Sequence, residues 1–170
     1  APIVSQPLED IELLEDSGVA TMVLSPYFED VDGDSLIFNV ELNEDNFVSL
    51  LMVGDTLIIN TITDQFGGPI IATVTVSDQI SSISASDNFE IMITGINDAP
   101  VLETIDSLFV DEDGIFIYSL DASDPDGDQL SYAAEIDTTK GSVFIDGNLL
   151  KVIPIENFNG NFNVMVMVSD

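Results

Sequence analysis

Asp30-Val31-Asp32-Gly33-Asp34-Ser35-Leu36 recurs downstream as Asp124-Pro125-Asp126-Gly127-Asp128-Gln129-Leu130. In both places an acidic loop runs into alternating residues, and finding it twice marks the chain as a tandem repeat. Other pieces recur in the same order. Ala1-Pro2-Ile3-Val4 returns as Ala99-Pro100-Val101-Leu102, and Glu15-Asp16-Ser17-Gly18 as Glu112-Asp113-Gly114. Phe66-Gly67-Gly68 returns as Phe158-Asn159-Gly160, and Val76-Ser77-Asp78 as Val168-Ser169-Asp170. The offset falls from 98 (Ala1 to Ala99) to 94 (Asp30 to Asp124) and 92 (Val76 to Val168), as small loop deletions in one domain type would produce. The division is residues 1–98 and 99–170. The second copy stops where the first still runs through Phe89–Ile93, so the expectation is a repeat lacking its last strand, cut from a longer array.

Each copy reads as β. Short segments alternate apolar and polar residues between Gly, Asp, Asn and Pro clusters, and none of useful length has helical period. The alternation is kept between copies. Ala20, Met22 and Leu24 correspond to Phe116, Tyr118 and Leu120; Leu36, Phe38 and Val40 to Leu130, Tyr132 and Ala134; Ala72, Val74 and Val76 to Val164, Val166 and Val168. These are the inward faces of three strands, B, C and F. Strands A, D, E and G are expected near 3–12, 47–53, 56–62 and 88–96. The fold class is all-β, two Greek-key sandwiches of immunoglobulin type without the usual Cys pair or Trp.

The charge narrows the function. Asp and Glu number 32 against 2 basic residues, Lys140 and Lys151, for a net charge of −30. Phosphate backbones and anionic lipid are repelled, so nucleic acid and direct membrane insertion are excluded as partners. Hydrophobic residues make up 45% of the chain, enough to build cores, so self-repulsion must be offset within a folded structure. A solvated acidic surface and bound cations are the two explanations. No Cys is present, which rules out disulfides and zinc–thiolate sites, and no signal peptide or membrane span is visible.

The sandwich map gathers the acids. Its chain enters at the end holding the B–C and F–G loops and leaves at the end holding the A–B and E–F loops. Glu15, Asp16 and Asp64 then lie at the exit of copy 1. Asn97 and Asp98 form the linker, and Asp124, Asp126, Asp128 and Asp170 lie at the start of copy 2. These acids are expected to share one joint. Asp30, Asp32, Asp34 and Asp78 would face a preceding repeat, and Glu112 and Asp113 a following one. Two bare carboxylates about 5 Å apart repel by roughly 3 kcal/mol at an effective dielectric near 20. Hard cations with six to eight oxygen ligands reverse that sign, and Ca²⁺ fits a chain without His or Cys. Turn chemistry at Asp-Gly, and a merely stiff Pro linker, are the plainer readings of the same residues.

The linker Asn97-Asp98-Ala99-Pro100, the Glu-Asp pair, the Asp-x-Asp-Gly-Asp loop and the Val-Ser-Asp ending resemble cadherin-like repeats, in the bacterial form found in tandem in large surface adhesins. The resemblance covers essentially the whole chain. It implies calcium bound between successive domains, with the acids above as ligands, and an extracellular or cell-surface location. This sequence departs from the animal pattern in a linker poorer in acids and in an E–F loop offering only Asp64.

An EF-hand is excluded although Asp30, Asp32 and Glu41 mimic its spacing. Gly33 falls at loop position 4 rather than 6, and Glu41 stands about 23 Å beyond Asp34 along an extended strand. Catalysis finds no support: there is no His to activate a nucleophile, no Cys and no phosphate loop. The expectation is a calcium-stiffened spacer whose partners are neighbouring repeats. The alternatives are a filament subunit, or a module recognising a surface protein or sugar.

Overall fold

The computed structural model describes residues 1–78 and 83–170, which divide into two compact units, Ala1–Ile96 and Asn97–Asp170. The boundary falls two residues before the one read from the repeat. Asn97 and Asp98 belong with the second unit because their donors engage Asp170 and Asp126 of that unit.

Unit 1 is a sandwich. One sheet has the order β2(Ile11–Leu14), β9(Ser84–Thr94), β8(Gly67–Asp78), β5(Leu36–Leu42), and the other β3(Val19–Val23), β7(Thr56–Thr61), β6(Val48–Val53). A separate ladder joins β1(Pro2–Val4) to β4(Phe28–Asp30). The expected D and E strands are β6 and β7, C is β5, F is β8 and G is β9. Strand A divides where the sequence reading had one strand, and B, read at Ala20, Met22 and Leu24, continues past a turn as β4, where the reading had the start of the B–C loop. Pro7 lacks an N–H and interrupts A, whose second half β2 pairs in parallel with β9. Pro26 sits at the start of a single 3₁₀ turn, Ser25–Tyr27, that interrupts B.

The predicted inward faces meet. Leu24, Val48, Leu57, Ile59, Ile70, Ala72, Val74, Val76 and Ile91 are all at 0% exposure, with Phe89 and Ile93 beside them. Leu36, Phe38 and Val40 pack against this core from β5. Gly67 and Gly68 occupy the bulge at the start of β8, where the register to β9 shifts. A Cβ on Gly68 would stand 2.9 Å from the Ile91 carbonyl oxygen, so the strands close only with glycine there. Phe66 lies against Gly95, the corner packing read from Phe66-Gly67-Gly68.

Unit 2 repeats the plan. β11(Phe116–Ser119), β15(Leu149–Pro154) and β14(Gly141–Asp146) form one sheet, and β13(Ser131–Ile136) pairs with β16(Val164–Ser169). β10(Val101–Leu102) pairs with β12(Ala122–Ser123) as β1 does with β4. Leu120 matches Leu24 in burial and backbone bonding: each donates its N–H to the D–E turn, at Asn148 and Asp55. The 3₁₀ turn of unit 1 accounts for the two residues lost between Leu120 and Ala122.

The units differ at one sheet edge. In unit 1, β9 covers β8. Among the described residues no strand pairs with the corresponding edge of β16. Val164 and Val166 are half-buried, and Leu120, Leu150 and Val152 are the buried residues of that core.

Candidate metal centre

The leading end of unit 1 is built by β1, β4, β8 and the loop after β4. Asp30, the last residue of β4, turns one carboxylate oxygen back into its own loop. Oδ1 accepts the N–H of Asp32 at 2.8 Å and of Asp34 at 3.2 Å. The turn closes through Gly33 at φ 79°, whose N–H donates to the Asp30 carbonyl oxygen at 3.1 Å. A Cβ at Gly33 would meet nothing within 4 Å, so the left-handed backbone rather than space selects glycine. Asp78, the last residue of β8, arrives beside Asp30. One carboxylate oxygen each from Asp30, Asp34 and Asp78 lies within 4.8 Å of the other two.

Asp30 and Asp78 have side chains only 1% exposed. Asp30 Oδ2 is buried and pairs with the Ala1 ammonium at 3.1 Å. The same ammonium is 3.0 Å from Asp32 Oδ2 and 3.8 Å from Asp78 Oδ2. Its hydrogen bond to Asp32, followed by that to Asp30, raises its pKa to about 10. Burial pushes the Asp30 carboxyl up, but the ammonium and the two loop N–H groups outweigh it and hold it below the ordinary value.

Unit 2 repeats the bonded loop, with a different close set of carboxylates. Asp124 Oδ1 accepts the N–H of Asp126 at 2.9 Å and of Asp128 at 3.2 Å, with Gly127 at φ 77°. Asp124, Asp126 and Asp128 each bring an oxygen within 4.8 Å of the others. Asp124 Oδ2 is buried and receives no hydrogen bond. Asp98 donates its N–H to Asp126 Oδ2 at 2.7 Å, and Asn97 Nδ2 donates to Asp170 Oδ2 at 2.7 Å. The linker pair thus bonds to the B–C loop through Asp98 and to the F-strand acid through Asn97.

The trailing ends carry the other predicted acids. Glu15 is fully buried, and its Oε1 accepts the Ile96 N–H at 2.7 Å. Asp16 and Asp64 are exposed, both left-handed at φ 55°. In unit 2, Glu112 and Asp113 are exposed. Asp113 is left-handed at φ 59° and accepts the Asn157 N–H at 2.8 Å. Asn157, at φ 57°, holds the place of Asp64. It escaped the sequence reading because Gln65 has no counterpart, which shifts this loop by one residue. Ile62 and Ile155 fix the alignment, since their N–H groups donate to the equivalent carbonyls of Phe47 and Lys140.

These residues suit a hard cation. All the ligand atoms are oxygen; the buried Asp124 Oδ2 receives no hydrogen bond, and the buried Asp30 Oδ2 meets a positive charge. Each pair of carboxylates at such spacing repels by about 3 kcal/mol at an effective dielectric near 20. Asp30, Asp34 and Asp78 in unit 1, and Asp124, Asp126 and Asp128 in unit 2, would hold the ion. Ca²⁺ accepts such irregular oxygen sets and completes its shell with water.

Residues 97–170 match the family model of the bacterial Ig domain. That match covers the second repeat, and the first repeat shares its strand plan. No curated protein matches the chain. Solved structures similar to these repeats include an endo-fucoidan hydrolase of glycoside hydrolase family 107, at 18% identity and a TM-score of 0.48. That match covers 98% of this chain and 28% of the hydrolase. Drosophila N-cadherin EC1-4 is similar at 14% identity and a TM-score of 0.46, over 95% of this chain and 44% of that one. Titin domains z1z2 in complex with telethonin match at 12% identity and 0.36, over 98% and 93%. Among the described residues, no helix of the repeats is long and apolar enough to cross a membrane.

Proposed function

We propose that this chain is a calcium-stiffened spacer within an extracellular, surface-attached adhesin, and that it performs no catalysis. Repeats of this fold are adhesion or spacer modules. Calcium sits at the ends of the repeats, where the chain passes from one to the next. Asp30, Asp32, Asp34 and Asp78 lead the first repeat. Asn97, Asp98, Asp124, Asp126, Asp128 and Asp170 lead the second, while Glu15, Asp16 and Asp64 trail the first and Glu112 and Asp113 the second.

One observation carries the reading. The same loop, with its first Asp bonded to two N–H groups through one oxygen and its other oxygen buried beside further carboxylates, occurs in both repeats. A turn motif alone needs only the bonded oxygen; the second oxygen meets a positive charge in the first repeat and no hydrogen bond in the second, and both suit a cation. Cation binding at such ends also explains how a chain of net charge −30 stays compact.

Small-angle scattering with chelator and then with millimolar calcium tests it. The expected result is a longer maximum dimension and a narrower spread of conformers with calcium, at an affinity near 10⁻⁴ to 10⁻³ M. An unchanged scattering profile, together with no calcium uptake in calorimetry, refutes the proposal.

A further inference from the structure

We infer that Asn159 is a site of spontaneous covalent modification, converting in the folded chain to a mixture of aspartate and isoaspartate through a cyclic imide formed with Gly160. The inference goes beyond the calcium reading and does not depend on it. It places a slow chemical change at one corner of the second repeat, where the first repeat has none.

Asparagine is a chemically labile residue, and the sequence concentrates that lability here. Cyclisation needs the next residue's backbone nitrogen to reach the side-chain carbonyl carbon, and a Cβ on that residue stands in the way. Asn159 is followed by Gly160, and every other asparagine by a residue that bears a side chain. The structure leaves the attacking nitrogen available. Asn159 and Gly160 are both exposed and lie outside any strand. Among the described residues, no group accepts the Gly160 N–H. The Asp-Gly turns at Gly33, Gly114 and Gly127 differ, since their N–H groups donate to the carbonyl oxygens of Asp30, Asp111 and Asp124 at 3.0–3.2 Å. Asn97 is followed by Asp98, whose N–H is held by Asp126 at 2.7 Å.

The reaction needs no reagent but water. The Gly160 nitrogen gives its proton to solvent and bonds to the Asn159 side-chain carbonyl carbon. The carbon–nitrogen bond of the side-chain amide breaks, and ammonia leaves after taking a proton back. Water then opens the imide. Opening at the side-chain carbonyl gives aspartate; opening at the backbone carbonyl gives isoaspartate, whose main chain runs through the former side-chain methylene. Nothing is oxidised or reduced. The fold makes the two products unequal. The rings of Phe158 and Phe162 meet edge to face at 5.7 Å across the tip 159–161, and Phe162 packs against the buried residues of the second repeat's core. Aspartate adds one negative charge at an exposed position and leaves this closure intact, whereas the longer isoaspartate backbone pushes the rings apart. The first repeat is exempt, because Gly67 stands in the place of Asn159 and offers no amide.

The test is incubation of the folded 170-residue chain in mildly alkaline buffer at physiological temperature, followed by peptide mapping with mass spectrometry. Asn159 should gain the mass of an amide-to-acid conversion at least about tenfold faster than any other asparagine, and fragmentation should show both aspartate and isoaspartate there. Gly160→Ala should slow the conversion by about tenfold or more. Gly160 sits at φ 150°, where alanine is strained, so Asn159→Gln, at an exposed position, is the second variant and should leave that peptide unconverted. In aged protein separated by charge, the isoaspartate fraction should show shifted ring signals of Phe158 and Phe162 by NMR, while Asn159→Asp keeps those of the unmodified chain. Asn159 that stays intact while other asparagines convert, or that converts only after unfolding in urea, overturns the inference. Ring signals in the isoaspartate fraction identical to those of Asn159→Asp overturn the structural consequence assigned to it.

Discussion

Glu15 Oε1 lies 2.7 Å from the Ile96 amide nitrogen, which ties the A–B corner of the first repeat to the residues that follow its last strand. Glu15 is fully buried, and its Oε2 receives no hydrogen bond. A buried carboxylate with one unsatisfied oxygen is costly as an anion and useful as a ligand. Without calcium, Glu15→Gln should keep the bond to Ile96, remove the charge, and leave stability unchanged or slightly raised. Glu15→Ala should lose about 1–3 kcal/mol, because the Ile96 N–H then has no acceptor. Thermal unfolding of both variants in chelator checks the ordering.

Val74 and Val166 hold equivalent places in the F strands, yet Val74 is fully buried and Val166 half-buried. Val74→Ala should cost about 2 kcal/mol, and Val166→Ala less than half of that. Chemical denaturation, with the two repeats followed by separate NMR signals, measures both.

That contrast marks how far the sequence could be read. Alternation identified the inward residues of B, C and F in both repeats, since period two is written directly in the chain. Depth of burial was not legible. In unit 1 it depends on β9 pairing along β8, which the alternation around Val74 does not show. The split of strand A was hidden in one residue, Pro7, and the split of B in Pro26. At the site, repetition located the acidic loops, but not the division of labour between Asp30 Oδ1, which orients its loop, and Oδ2, which faces a charge. Glu112 read as the twin of Glu15, yet it is exposed where Glu15 is buried.

Gly33 and Gly127 hold left-handed turns in open space, so a methyl group there meets no neighbour. Gly33→Ala or Gly127→Ala should cost about 1–2 kcal/mol through backbone strain alone. The strained turn moves the N–H groups that orient Asp30 or Asp124, so each variant should weaken calcium binding in its own repeat only. Calorimetry of the single and double variants measures this; equal weakening of both repeats by one substitution would contradict it.

Asp137 accepts bonds from the Thr139 hydroxyl at 2.7 Å and the Thr139 N–H at 3.0 Å. These two bonds, the hydroxyl first, hold its carboxyl below the ordinary value of 3.8. A depressed folded pKa gives stability that is fully present above 3.8 and is lost as pH falls through the folded value. Thr139→Val should move the Asp137 titration back toward 3.8 and raise the pH at which this small contribution disappears. Side-chain carboxyl NMR between pH 2 and 6 follows it.

Calcium and ordinary salt act on this chain by different physics, and that difference is measurable. At a net charge of −30, any electrolyte relieves self-repulsion, and sodium chloride does so by shortening the Debye length to about 8 Å at 0.15 M. Carboxylates within 4.8 Å of each other lie inside that distance, so sodium leaves their repulsion largely in place. A coordinated divalent ion removes it. Calcium at about 2 mM should therefore raise the unfolding temperature of both repeats well beyond sodium chloride of equal ionic strength. The gain should approach a plateau once the sites fill, whereas the sodium effect should keep rising over hundreds of millimolar. Magnesium should fall between them, because it demands a tighter octahedral shell than these oxygens provide. Asp78→Asn and Asp124→Asn should each remove the calcium-specific part of the gain from one repeat and leave the sodium part intact. Differential scanning calorimetry across the three salts separates the effects, and coincident curves at matched ionic strength would reduce the acidic ends to a solvated surface.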